Sequence, residues 1–112
     1  MSESFEQLYL GDIERGLAKS IAVLALEPKD ITKKTGIKFE ITKDDLDYLD
    51  AALIRSSSHK QYGLIRHHHA PFGGVEIVTN EKSQTLANDL DEVLNILGLA
   101  AADLNWITPE IK

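Results

Sequence analysis

The stretch from Tyr62 to Thr79, YGLIRHHHAPFGGVEIVT, constrains the fold more than any other part of the chain. It contains two runs rich in β-branched and aromatic residues, Tyr62 to His68 and Val75 to Thr79. Between them lies Pro71 to Gly74, and proline and glycine are typical of the connection in a β-hairpin. The pattern therefore predicts two antiparallel strands joined by a turn.

Most of the remaining chain carries apolar residues at three- and four-residue spacing, which is typical of amphipathic helices. This spacing predicts helices over Ser4 to Leu26, Thr42 to Ser56, Glu81 to Leu97 and Ala100 to Ile107. The segment Ile37 to Ile41 alternates apolar and charged residues and predicts one more strand. The expected fold class is α+β, a small and mainly antiparallel sheet of about three strands packed against helices, in the order α-β-α-β-β-α-α.

The composition is that of an ordinary soluble protein. The 112 residues are 43% apolar and 27% charged, which predicts a single globular domain over residues 1–112. There is no cysteine, so a disulfide framework and a cysteine-based metal site are excluded. The N-terminal residues are acidic and polar, and no apolar run approaches the ~20 residues of a membrane span. We expect a soluble, cytoplasmic protein with no membrane partner.

The net charge of −6 narrows the classes of function. It disfavours nucleic-acid binding, because affinity for nucleic acids depends mainly on neutralising phosphates. It favours a small acidic non-catalytic binding protein, for example an inhibitor or a toxin-neutralising immunity protein that masks a basic surface on a protein partner. The candidate partner-binding residues are the carboxylates of the second and third predicted helices: Asp44, Asp47, Asp50, Asp89, Asp91 and Glu92.

The histidine triplet in the hairpin offers an alternative function. If the turn comprises Ala70 to Gly73, His69 faces Gly74 and His67 faces Glu76, so two imidazoles and one carboxylate share a face of the sheet. Zn²⁺ accepts histidine nitrogen and carboxylate oxygen, and a His–Glu pair can also act as a general acid–base couple. His67, His69 and Glu76 are therefore the candidate metal or enzyme site, with His59 as an addition. The competing interpretation is a solvated sheet face with salt bridges.

A third hypothesis comes from the C-terminal segment, Leu94 to Ile107, which has the outline of a helix-turn-helix with Gly98 in the turn. The second helix would present Asp103 and Asn105 and no basic residue, whereas DNA-reading helices carry arginine, lysine, asparagine or glutamine. We therefore reject DNA binding by this element alone. A winged-helix regulator, with the histidine hairpin as its wing, is the weaker alternative.

Overall fold

The chain is built on one antiparallel sheet. The computed structural model describes residues 4–43, 47–70 and 73–111, and within these ranges it has seven strands and two α-helices. The strands are β1 (Phe5–Leu8), β2 (Leu17–Leu24), β3 (Glu40–Lys43), β4 (Tyr48–Ser56), β5 (Gln61–His67), β6 (Val75–Asn80) and β7 (Leu104–Ile107). The helices are α1 (Pro28–Thr35) and α2 (Leu86–Leu97). The predicted fold class is therefore wrong, because the protein is mostly sheet and is not a three-stranded sheet covered by helices.

The strand order across the sheet is β1-β4-β5-β6-β2-β7, and β3 also pairs with β4. The long strand β4 has two partners on its outer side. Its first half, from Tyr48 to Ala51, pairs with β3, and its second half, from Leu53 to Ser56, pairs with β1. All six pairings are antiparallel. The outer strands of the described sheet are therefore β1 and β3 on one side and β7 on the other.

Both helices pack against the same face of the sheet. In the register of the strands, Ala52 lies opposite Leu64 and Leu64 lies opposite Ile77, so these side chains share one face. They belong to one core cluster with Ile31 of α1 and Val93 of α2. Four further apolar side chains are buried but lie outside this cluster, and all four are at strand positions that point away from the helices: Leu49, Ala51, Leu53 and Val78. The sheet is thus the organising layer of the core.

The helix predicted over Ser4 to Leu26 is instead β1, a short 3-10 turn at Leu10–Asp12, and β2. The turn and Gly16, which has a positive φ of 89°, separate the two strands. In β2 the consecutive residues Ile21 and Ala22 are both buried, so the strand lacks the alternation that marks a half-exposed strand. A short apolar run of this kind cannot be assigned to helix or strand by periodicity.

The helix predicted over Thr42 to Ser56 is also wrong. Residues 40–43 form β3 and residues 48–56 form β4, while residues 44–46 lie outside the described ranges. In β4 the run from Ala51 to Ile54 is buried on both faces of the sheet. Every residue between Leu49 and Leu53 is also at least half buried, whereas an amphipathic helix would expose some of them. The four-residue spacing of the two leucines is therefore a coincidence.

The helix predicted at Ala100 to Ile107 is the third error, since this segment is a short 3-10 turn at Ala101–Asp103 followed by β7. The strand predicted at Ile37 to Ile41 is displaced to β3.

The hairpin strands are present as β5 and β6, and the helix predicted from Glu81 is present as α2, beginning at Leu86. Gly98 ends α2 with a φ of 68°, as expected for a C-terminal glycine. Neither described helix is long and apolar enough to cross a membrane.

Candidate functional site

The register of the histidine hairpin differs from the predicted one by two residues. Glu76 lies opposite Ile65, and Val78 lies opposite Gly63. The four-residue turn is therefore wrong, because β5 ends at His67 and β6 begins only at Val75. A shift of two residues leaves every side chain on the same face. His67 and Glu76 consequently remain neighbours on the helix-free face, with 3.8 Å between Nε2 of His67 and Oε1 of Glu76.

Each histidine of the triplet contacts a different carboxylate. Nε2 of His68 lies 3.2 Å from Oδ1 of Asp50, which is on β4. The ring Nδ1 of His69 is bonded to Asp47, and the main-chain N–H of His69 donates to Oδ2 of the same carboxylate at 2.8 Å. We call this group the histidine–carboxylate cluster. Its members are His67, His68, His69, Asp47, Asp50 and Glu76.

Two of the three predicted metal ligands, His67 and Glu76, are neighbours in the structure. The third, His69, contacts Asp47. His59 lies in the turn between β4 and β5, at the opposite end of β5 from His67. Within residues 4–43, 47–70 and 73–111, no group of three or more histidine, aspartate or glutamate side chains is close enough to hold a metal ion.

The surroundings of Asp47 favour its ionised form. Partial burial opposes the charge of Asp47, but hydrogen bonds from His69 and from the Tyr48 amide outweigh it, so the pKa of Asp47 lies below its ordinary value. The nearby guanidinium of Arg66 donates to Glu27, with 3.0 Å between Nε and Oε2. Because neutral imidazole carries no charge, the cluster is acidic whenever its histidines are neutral.

A small depression lies beside the His67–Glu76 pair on the helix-free face. Its volume is about 160 Å³, and Val23, Ile65 and Gly74 form part of its wall. Sites for drug-sized ligands usually have roughly 300–1,000 Å³. The depression is therefore better matched to one protruding side chain than to a small-molecule substrate.

Two of the predicted partner-binding acids are used inside the protein. Asp89 on α2 is only 1% exposed. It accepts hydrogen bonds from Nζ of Lys60 at 2.8 Å and from Oγ1 of Thr79 at 3.0 Å. Burial opposes ionisation of Asp89, but the bonds from Lys60, Ser83 and Thr79 outweigh it, and the pKa of Asp89 is lowered. This carboxylate stabilises the packing of α2 and is not presented to a partner.

Glu92 lies one turn further along α2 and has a similar role. It accepts a hydrogen bond of 2.6 Å from the hydroxyl of Tyr62 and one of 2.8 Å from Ser58. Burial opposes its ionisation, yet the bonds from Tyr62 and Ser58 prevail, so the pKa of Glu92 is lowered. We refer to Asp89, Glu92 and their partners Lys60, Ser58, Tyr62, Thr79 and Ser83 as the α2 carboxylate network. Sequence analysis missed this network, although Asp89 immediately precedes the buried Leu90.

A polar pocket of about 360 Å³ lies beside this network. Lys60, Asp89 and Thr85 line it and are bonded to one another, with 2.9 Å between Nζ of Lys60 and Oγ1 of Thr85. His59 also lines it and has a positive φ of 68°, which suits the tight turn between β4 and β5. Lys60, Thr85 and Asp89 therefore already satisfy one another within the chain.

The other predicted partner-binding acids have different positions. Asp47 and Asp50 belong to the histidine–carboxylate cluster, Asp91 is exposed on α2, and Asp44 lies outside the described residues. The winged-helix hypothesis needs a helix at residues 104–107, where the structure has β7.

No protein-family model, curated protein or solved structure matches the chain, so its function has to be argued from its own residues.

Proposed function

We propose that the protein is a small, acidic, non-catalytic binding protein that masks a basic surface on a protein partner. The histidine–carboxylate cluster is its contact surface. The observation that carries this proposal is the position of three carboxylates around the histidine triplet at one end of the sheet. Asp47 immediately precedes β4, Asp50 lies within β4 on the face that the helices cover, and Glu76 lies within β6 on the opposite face. Glu76 is distant in sequence from Asp47 and Asp50, and the sheet brings all three beside the same triplet.

The net charge supports a basic partner. The chain carries −6 in total, and hydrogen bonds from His69 and the Tyr48 amide hold the pKa of Asp47 below its ordinary value. Complementary charge accelerates association and makes it sensitive to salt. Arg66 is paired with Glu27, and Lys43 lies over the ring of Tyr48 at 5.7 Å.

The cluster also offers the uncharged contacts that interfaces use. The side chain of His69 is 82% exposed. The ring of Tyr48 is 52% exposed and lies 6.5 Å from the ring of His68, measured between ring centres. Tyrosine is enriched at protein interfaces because it combines a large apolar ring with a polar hydroxyl. The depression beside His67 provides space for a protruding side chain of the partner, such as lysine or arginine.

The test compares two variants that remove the same amount of charge. The first is Asp47→Asn/Asp50→Asn/Glu76→Gln in the cluster. The control is Asp12→Asn/Glu81→Gln/Asp91→Asn, at three exposed acids elsewhere on the described surface. Wild type and both variants are immobilised and exposed to native lysate at low and moderate salt, and captured proteins are identified and then purified for affinity measurement.

We expect wild type and the control to capture the same protein with a basic surface, and the cluster variant to bind it about tenfold or more weakly. If the partner is an enzyme, saturating wild-type protein should also inhibit it. Two results would overturn the proposal. The control could lose as much binding as the cluster variant does, or no basic protein could be captured at either salt concentration. Circular dichroism and urea unfolding confirm that each variant is folded.

A further inference from the structure

The two outer edges of the sheet are protected to very different degrees. At the edge formed by β1 and β3, both strands carry charged residues: Glu6 on β1, and Glu40 and Lys43 on β3. Glu6 is paired with Arg55 of β4. Charged side chains on an edge strand are a usual protection against further strand pairing.

The opposite edge, β7, lacks protection by charge. Its sequence, Leu104-Asn105-Trp106-Ile107, contains no charged residue. Its pairing with β2 has a register shift at Asn105, and Trp106 and Ile107 lie opposite Val23 and Ala22 in regular register. Trp106 is 44% exposed and Ile107 is 40% exposed. The amide of Thr108 donates to Ile21 of β2 at 2.9 Å, so by strand alternation the amide of Ile107 points away from β2. No other strand within the described residues pairs with this outer side.

The two acidic residues that flank β7 both have partners within the chain. Glu110 is ion-paired with Lys19. The carboxylate of Asp103 keeps its charge and accepts a hydrogen bond of 2.9 Å from the amide of Ala100. The strand itself is uncharged, so a second copy can approach β7 without placing a charged side chain on the paired strands, although the chain as a whole carries a charge of −6.

We propose that two copies of the chain pair through β7, antiparallel about a twofold axis beside Trp106. A twofold axis presents the same surface patch on both copies, so the patch must be complementary to itself. The uncharged β7 meets this condition, and the axis places the two Trp106 side chains as direct neighbours on one face of the joined sheet. Aromatic pairs across adjacent strands are stabilising. This inference does not depend on the proposed function, because the histidine–carboxylate cluster lies on β4, β5 and β6 and their connections.

The protein contains one tryptophan, so its fluorescence reports on the proposed contact. We expect sedimentation equilibrium of the full chain to give a mass near twice 12.4 kDa at high concentration and to approach 12.4 kDa on dilution. Over the same concentration range, the emission of Trp106 should shift to the red as the dimer dissociates, because the indole becomes more exposed to water.

Three variants test whether dimerisation depends on β7 or on the opposite edge of the sheet. Ile107→Pro removes the outward-facing amide without removing a hydrogen bond to β2, and Asn105→Lys adds a charge to the edge. Ile41→Lys is the control, since Ile41 on β3 is 70% exposed. We expect the two β7 variants to weaken dimerisation about tenfold or more, and the control to leave it unchanged.

Three results would overturn the proposal: a monomeric wild type at every concentration, a control that weakens the dimer as much as the β7 variants do, or a dimer whose Trp106 emission does not change on dilution. Should Ile107→Pro fail to fold, Asn105→Lys provides the same comparison, because Asn105 is exposed and its substitution leaves the main chain intact.

Discussion

The hydroxyl of Tyr62 on β5 donates a hydrogen bond of 2.6 Å to the carboxylate of Glu92 on α2. Tyr62 is fully buried, so this bond joins the sheet to the helix in the interior of the protein. Tyr62→Phe should therefore lower the free energy of unfolding by about 1.5–3 kcal/mol, because the lost bond has a charged acceptor. Urea denaturation measures the change. Tyr48→Phe is the control, since Tyr48 is 52% exposed, and we expect little effect from it.

Acid should destabilise the protein through the α2 carboxylate network. Folding lowers the pKa of both Asp89 and Glu92. In acid the unfolded chain therefore binds more protons than the folded chain does. The stabilisation is complete above the unfolded-state pKa values of about 4 and is lost as the pH falls through the lower folded-state values. Urea denaturation between pH 7 and pH 3 should show this decline.

The double variant Asp89→Asn/Glu92→Gln tests the assignment of that decline. It should be less stable at pH 7 by about 2 kcal/mol or more, because it weakens several buried hydrogen bonds. Its stability should also depend less steeply on pH in the acid range. Asp91→Asn, which changes an exposed carboxylate on the same helix, should retain the wild-type slope. An unchanged slope in the double variant would assign the acid sensitivity to other groups.

Three glycine-to-alanine variants should form a graded series of stability. At Gly74 an added Cβ would lie 2.2 Å from the carbonyl oxygen of Leu24, and φ is 110°. We expect Gly74→Ala to destabilise the protein by more than about 2 kcal/mol. Gly36 has a φ of 81° but open space around it, so its substitution should cost about 1 kcal/mol. Gly11 has neither constraint, and Gly11→Ala should be close to neutral. Thermal unfolding of the three variants measures the order.

The parts of the fold that sequence analysis predicted correctly are those with a local signal. Glycine and proline between two β-rich runs identified the hairpin of β5 and β6, and an apolar stripe ending at Gly98 identified α2. The strands β2 and β4 were assigned to helices because they carry runs of residues buried on both faces, such as Ala51 to Ile54, and such runs have no alternation. Their environment is set by strands that are distant in sequence.

The candidate site was only partly predictable for the same reason. Alternation correctly placed His67 and Glu76 on one face. The predicted register was wrong by two residues, but a shift of two residues leaves each side chain on the same face. The position of His69 depends on its bond to Asp47. His69 lies in the connection between β5 and β6, and the sequence does not define the length of that connection. Asp89 and Glu92 look like surface charges in a helix pattern. Their burial depends on Lys60 and Tyr62, which come from a hairpin that only the tertiary fold brings beside α2.

The charges on β1 and β3 also set a limit on how many copies of the chain can join. A sheet with two uncharged edges can recruit copies without end and grow into a filament. Here a pair joined through β7 presents Glu6, Glu40 and Lys43 at both of its outer edges. Replacing these three residues with uncharged ones would remove that protection, and the terminating assembly would become one that can polymerise.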